Sequence, residues 1–174
     1  MTETVSPSVW PDVIYEQLRA ADVSQFVYVP DAAHQRLIDR SLIDPGVLSL
    51  CLTTEEEGVA MLAGADLGGA RGVLLMQSSG VGNCVNMFSL INGAHFPFLT
   101  LISMRGEFGE GNPWQVPMGQ AVQSVLEAMG FICVRIDSPD EVANAMQAAI
   151  TMAFKSGQAI AVLLGQKLIG AKVF

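Results

Sequence analysis

Positive charge is scarce in this sequence. Only 9 lysines and arginines stand against 17 acids, for a formal net charge of −8. That excludes the clustered basic footprint of a nucleic-acid-binding protein. Charge of either sign is thin, at 15% of residues, while 51% are hydrophobic. So few charges leave two readings open: a well-buried α/β domain, or a surface partly covered by another chain. No apolar run approaches the roughly 18 residues that a membrane span requires. The N-terminus has no basic region followed by an apolar run, so a signal peptide is not expected and a cytoplasmic location is. The cysteines, Cys51, Cys84 and Cys133, are odd in number and lie far apart. They read as buried free thiols of a reducing compartment, not as a disulfide framework.

What is present is an alternation of short apolar runs with amphipathic ones. Strands are predicted at Phe26 to Val29, Val47 to Cys51, Gly72 to Gln77, Pro97 to Met104, Phe131 to Ile136 and Ala159 to Leu164. Most are continuously apolar, as strands buried on both faces of a parallel sheet are. Helices are predicted at about 33 to 42, 55 to 68, 82 to 93 and 115 to 129. An N-terminal helix follows Ser8, with Trp10, Val13, Ile14, Leu18 and Ala21 on one face. A last helix opens at Ser138-Pro139-Asp140-Glu141, which combines a cap, a first-turn proline and a capping-box acid. The pattern implies one domain over residues 1–174: a three-layer, doubly wound α/β fold with about six parallel strands and helices on both faces.

Ligands in such folds bind beyond the carboxyl ends of the strands. The segments there are Pro30 to His34, Leu52 to Glu57, Ser78 to Asn83 and Arg105 to Pro117. The last is the longest irregular stretch and a candidate mobile active-site loop. Thr53-x-x-Glu56 reads as a capping box, with carboxylates favoured by the helix dipole. Gly80 and Gly82 read as a tight strand-to-helix turn or as an anion cradle. No Lys-Ser or Lys-Thr follows them, so they are not a P-loop. Asn83 reads as a cap or as a site residue. His34 reads as a surface helix residue or a substrate contact, and His95 as structural. Arg105 ends an apolar strand; its rigid fork of donors suits an anionic group, or a salt bridge to Glu107 or Glu110.

The run Thr53-Thr54-Glu55-Glu56-Glu57-Gly58-Val59-Ala60-Met61-Leu62-Ala63-Gly64-Ala65, with Gln77-Ser78-Ser79-Gly80-Val81-Gly82-Asn83, resembles the pyrimidine-binding domain of thiamine diphosphate-dependent enzymes. In that family one glutamate before a small-residue helix bonds the cofactor's aminopyrimidine ring. The resemblance puts Glu56 in that catalytic, cofactor-binding role. It leaves Glu55 and Glu57 as capping or solvated acids. An apolar surround would then raise the Glu56 pKa. The resemblance also implies cofactor contacts from Pro30, Ser79, Gly80, Val81, Gly82 and Asn83, and substrate contacts from His34 and Arg105.

A nearer likeness, to the α subunit of sulfopyruvate decarboxylase and the matching part of phosphonopyruvate decarboxylase, rests on four runs. They are Tyr28-Val29-Pro30-Asp31, Glu55-Glu56-Glu57-Gly58, Leu75-Met76-Gln77-Ser78-Ser79-Gly80 and Met104-Arg105-Gly106-Glu107. Residues Phe108 to Val116 depart from both, which leaves sulfonate and phosphonate open. The Gly-Asp-Gly that marks the family's diphosphate and magnesium site is missing from this chain. The resemblance therefore implies thiamine diphosphate and Mg2+ held mainly by a separate β subunit, and a 2-oxo acid substrate that is decarboxylated. Carboligation and a non-catalytic ligand-binding role are the alternatives. Self-association is expected through the face holding Glu56 and the Gly80 helix, where Gly58, Ala60, Ala63 and Gly64 permit close approach.

Overall fold

A computed structural model describes residues 9–170. Ser8, after which the first helix was expected, lies outside them. Six strands form one sheet: β1 (Val23–Tyr28), β2 (Leu48–Cys51), β3 (Arg71–Gln77), β4 (Phe98–Ser103), β5 (Ile132–Ile136) and β6 (Ala159–Leu164). Their order is β2-β1-β3-β4-β6-β5, and every pair is parallel. The helices are α1 (Trp10–Ala20), α2 (Gln35–Ile43), α3 (Glu55–Leu67), α4 (Ser78–Cys84), α5 (Phe88–Ala94), α6 (Val116–Ala128), α7 (Val142–Phe154) and α8 (Gln166–Ile169).

Each central strand feeds two cores because successive side chains point to opposite faces. Val73, Leu75, Leu99 and Leu101 join Ile14, Leu18, Leu37 and Met146 on one face. Leu74, Met76, Phe98 and Ile102 join Val59, Val81, Phe88 and Val122 on the other. The first layer is built by α1, α2 and α7, and the second by α3 to α6. The continuous apolar strands of the sequence are therefore those covered twice.

Three local expectations change. The helix anticipated from residue 82 starts at Ser78, directly on the end of β3, and breaks at Val85–Met87 before α5. Gly80 and Gly82 are thus helical residues, not residues of an open turn. The helix expected at Ser138 begins at Val142; Glu141 still reaches back, accepting from the Asp137 and Ser138 amides at 2.8 and 3.1 Å. Cys84 is buried as expected, but Cys51 is exposed on edge strand β2 and Cys133 is half-buried; all are free.

The chain leaves β1 for β2 on one side and returns to β3 on the other. The switch point of the sheet therefore lies between the carboxyl ends of β1 and β3, where doubly wound folds gather ligands. Asp31 and Ser78 stand at those ends, and Glu55 follows β2 next door.

Candidate active site

Three acids occupy the first turn of α3, where the helix dipole favours them. Helical phase separates their fates. Glu55 shares a stripe with Val59 and Leu62, both buried, and is itself only 8% exposed. Its Oε2 accepts from Asn83 Nδ2 at 2.8 Å. Its carboxylate also lies flat on Gly80: a Cβ there would sit 2.5 Å from Oε1 and 2.6 Å from Cδ. Gly80 is required by this contact and not by backbone conformation, since its φ is not positive. Glu55 was expected to be a capping or solvated acid. It is instead the carboxylate that the glycine helix α4 receives.

Glu56 is half-buried, and the atoms nearest the Gly80 position belong to Glu55. A hydrogen bond from Thr54 holds its carboxyl below the usual carboxylate range, helped by its own backbone N–H. The apolar environment expected to raise its pKa is absent. Its Oε2 is nevertheless buried without a partner. Glu57 is exposed and caps the helix, accepting from the Thr53 amide at 2.9 Å. The bond that reaches back across the helix start thus comes from Glu57, not from the Thr53–Glu56 pair that the spacing implied. Cys84, on the inner side of α4, has its thiol pushed up to about 12 by burial and then by the charges of Glu55 and Glu56. It stays protonated and is no nucleophile.

A polar strip continues along the strand ends. Ser79 Oγ donates to Gln77 Oε1 at 2.8 Å, and Gln77 Nε2 donates to Asp31 Oδ1 at 3.3 Å. Ser103 Oγ donates to Asp31 Oδ2 at 2.6 Å. Ends of β1, β3 and β4 are tied through one carboxylate. Asp31, Ser103 and Arg105 line a cavity of about 210 Å³. Pro30 borders a neighbouring depression with Tyr28 and Cys51. Val81 is buried in the core, and Gly82 and Asn83 are exposed.

Two residues expected to contact substrate sit differently from that expectation. His34 is fully buried, neither on the surface nor facing a cavity, with Nε2 3.2 Å from the Met76 carbonyl and Nδ1 unpartnered. Its spacing to buried Leu37 and Ile38 was the signal for this. Arg105 directs its fork inward: Nε and Nη2 bond Glu110 at 2.6 and 2.7 Å. The Glu110 side chain is 2% exposed and also takes the amides of Gly106 and Asn112 and the Gln166 amide group. Those bonds, Arg105 first, bring its pKa down to about 2. Glu107 turns instead to Arg135, at 2.7 Å. The loop after β4, expected to be mobile, is braced at its base by this network. His95 caps α5 in the left-handed region, with φ 54°.

The anticipated self-association face is also revised. Gly58 points inward, since a Cβ there would lie 2.6 Å from Leu74 Cδ1. Ala60 and Gly64 are exposed and remain available to another chain.

Fold and site together define a doubly wound parallel α/β domain with a buried carboxylate set against a glycine helix beside the switch point. No family model matches the chain. Whole-length relatives do. The chain is 32% identical over 154 residues to the sulfopyruvate decarboxylase subunit alpha of Methanothermobacter thermautotrophicus, covering 88% of this chain and 93% of that one. It is 30% identical to the same subunit of Methanocaldococcus jannaschii, over 86% and 89% of the two chains. It is 34% identical to the phosphonopyruvate decarboxylase of Streptomyces viridochromogenes, over 75% of this chain but only 34% of that one. Among solved structures, a 2-oxoglutarate:ferredoxin oxidoreductase from Magnetococcus marinus superposes with TM-score 0.75 at 14% identity, covering 93% of this chain and 29% of that one. That likeness shows the fold alone. The chain belongs to the family of sulfopyruvate decarboxylase α subunits. No helix among the described residues is long and apolar enough to cross a membrane.

Proposed function

We propose that this chain is the pyrimidine-binding half of a split thiamine diphosphate-dependent decarboxylase, with the diphosphate and Mg2+ held by a separate subunit. Its substrate is a 3-substituted 2-oxo acid, sulfopyruvate or phosphonopyruvate, which is converted to the aldehyde and carbon dioxide. One observation carries the reading: a nearly buried glutamate rests on a glycine of α4 at the ligand-gathering edge of the sheet. The donor set fits the cofactor's ring. A carboxylate can accept from a ring nitrogen, and Gly82, exposed on α4 while Gly80 is covered by Glu55, lets a flat ring approach the backbone closely. Bound there, the cofactor supplies the electron sink that decarboxylation needs.

The residues of this chain do the rest. Glu55 takes the ring-facing role that the resemblance assigned to Glu56, because Glu55 alone of the three acids touches Gly80 and Asn83. Asn83 fixes its rotamer. Burial keeps water from competing for the carboxylate. Ser79, Gln77 and Asp31 order the strand ends around it. A second reading keeps Glu56 as the ring partner, and its buried, unpartnered Oε2 favours it. With the Arg105 fork committed to Glu110, the anionic end of the substrate is left to groups other than that fork.

The test is reconstitution. The chain alone, with thiamine diphosphate, Mg2+ and sulfopyruvate or phosphonopyruvate, should release no carbon dioxide. Adding the diphosphate-binding subunit should start turnover, and the cofactor should then bind stoichiometrically by calorimetry. Turnover by the single chain would defeat the split-subunit reading.

A further inference from the structure

Two large apolar side chains stand in water at the active-site edge. Phe108 is 61% exposed and Trp114 is 80% exposed, both in the loop between β4 and α6. That loop is held in one shape. Glu110 collects bonds from Arg105, Gly106, Asn112 and Gln166 inside it, and the Glu107 amide donates to Gln166 Oε1 at 2.7 Å. Asn112 Oδ1 accepts from the Trp114 amide at 3.1 Å, which opens the short 3₁₀ turn Pro113–Gln115. At the loop's exit a Cβ on Gly119 would lie 1.9 Å from the Arg105 carbonyl oxygen, so backbone meets backbone. Exposing a tryptophan on such a braced frame costs hydration free energy and gains nothing within this chain.

The loop's position says what covers it. Its first amide, Arg105 N, donates to Ser78 Oγ at 3.1 Å, and Ser78 is the first residue of α4. Just past its end, Met118 Sδ would lie 3.4 Å from a Cβ on Gly82. Both ends of the loop therefore seat on the glycine helix that receives Glu55. A chain completing the cofactor site over Glu55 and Gly82 would approach the loop that carries Phe108 and Trp114.

We propose that Phe108 and Trp114 are the anchors on which the diphosphate-binding subunit docks. The inference rests on the split-subunit reading above. Aromatic residues, tryptophan above all, dominate the energetics of interface centres when a rigid frame presents them. Little ordering entropy remains to be lost, because Glu110 has already fixed the loop.

The experiment titrates this chain with separately purified diphosphate-binding subunit and measures Kd by calorimetry. Trp114→Ala and Phe108→Ala should each weaken binding by roughly tenfold or more while melting like the parent chain. Leu67→Ala, which removes a side chain 90% exposed at the far end of α3, should bind like the parent. Tryptophan emission should shift to the blue on complex formation, and Trp114→Phe should abolish the shift, since half-buried Trp10 sits on α1. Parent-like binding by both alanine variants overturns the proposal. So does a blue shift caused by self-association of this chain without the second subunit. If the parent chain itself binds no such subunit, the split-subunit reading has failed and the docking proposal falls with it.

Discussion

Two corners of the carboxyl edge handle charge in opposite ways. Around Arg105, the charges pair mostly internally: Glu110 accepts from Nε and Nη2 of the fork and from three further donors, and Glu107 and Asp137 share Arg135. Around Glu55, the groups are few and the neighbours small. Gly80 backs the carboxylate, one asparagine holds it, and Glu56 Oε2 has no partner at all. A nearly saturated network has little left to offer a ligand, so its main contribution is the shape of the cavity that Arg105 helps to line. An undersaturated one costs stability unless something arrives to complete it. The comparison predicts scaffolding for the first corner and binding for the second.

The sharpest way to break that assignment is at Glu55. Glu55→Gln keeps the size and the Asn83 neighbour but loses the charge that favours one ring tautomer. In the assembled enzyme it should lower kcat by about 10²- to 10⁴-fold, the usual scale for a lost acid–base role. Glu56→Gln should be mild. The reverse ranking, measured by carbon dioxide release with both variants folded, would return the role to Glu56.

Next in size is Glu110. Glu110→Gln leaves the Arg105 guanidinium without its counter-ion in a mostly covered site. Removing one member of a buried pair costs about 3 kcal/mol or more. Urea melts of the chain should show that loss while the cofactor affinity of the assembled enzyme stays near the parent's. A large loss of cofactor with unchanged stability would move Arg105 and Glu110 into the binding corner.

Smaller again is Arg105→Lys. With the fork turned toward Glu110, a lysine should destabilise the loop modestly and leave KM for sulfopyruvate or phosphonopyruvate within about threefold. A KM raised tenfold with an unchanged melting curve would restore Arg105 as a substrate contact.

The sequence was most legible where burial is two-sided. Six mostly apolar runs became six parallel strands, with no end displaced by more than three residues. It was least legible within the acidic turn. Glu55, Glu56 and Glu57 differ by about 100° of helical phase each, and family spacing alone pointed to Glu56, whereas the carboxylate against Gly80 is that of Glu55. The phase was readable: Glu55, Val59 and Leu62 recur at i, i+4 and i+7, the buried stripe of α3. The choice of Glu110 over Glu107 for Arg105 was not readable. It depends on loop closure and on Gln166, which arrives from β6 far along the chain. Gly80 looked like a turn residue because a glycine demanded by a neighbouring side chain has the same sequence signature as one demanded by φ.

The smallest expected effect is the most specific, because it tests the inward fate of His34. Burial dominates and lowers its pKa, against the opposing pull of Asp31 and the carbonyls of Met76 and Leu101. The folded state therefore prefers the neutral ring, and the unfolded chain takes up the proton first. Stability from this group is full above the unfolded value of about 6.5 and is lost as pH falls below it toward the depressed folded value. Carboxylates that are lowered in the fold, such as Glu110, act only at lower pH. The interval from pH 7 to 5 is therefore where His34 is expected to act. The melting temperature of the parent chain should decline across it. His34→Gln can still donate an N–H to the Met76 carbonyl but cannot titrate, so its melting temperature should start lower and stay flatter. Equal slopes in the two proteins would mean that His34 is not held neutral in the core. The turn Ala32–His34 would then be free to present that ring to the cavity beside Asp31, and His34 would return to the binding corner.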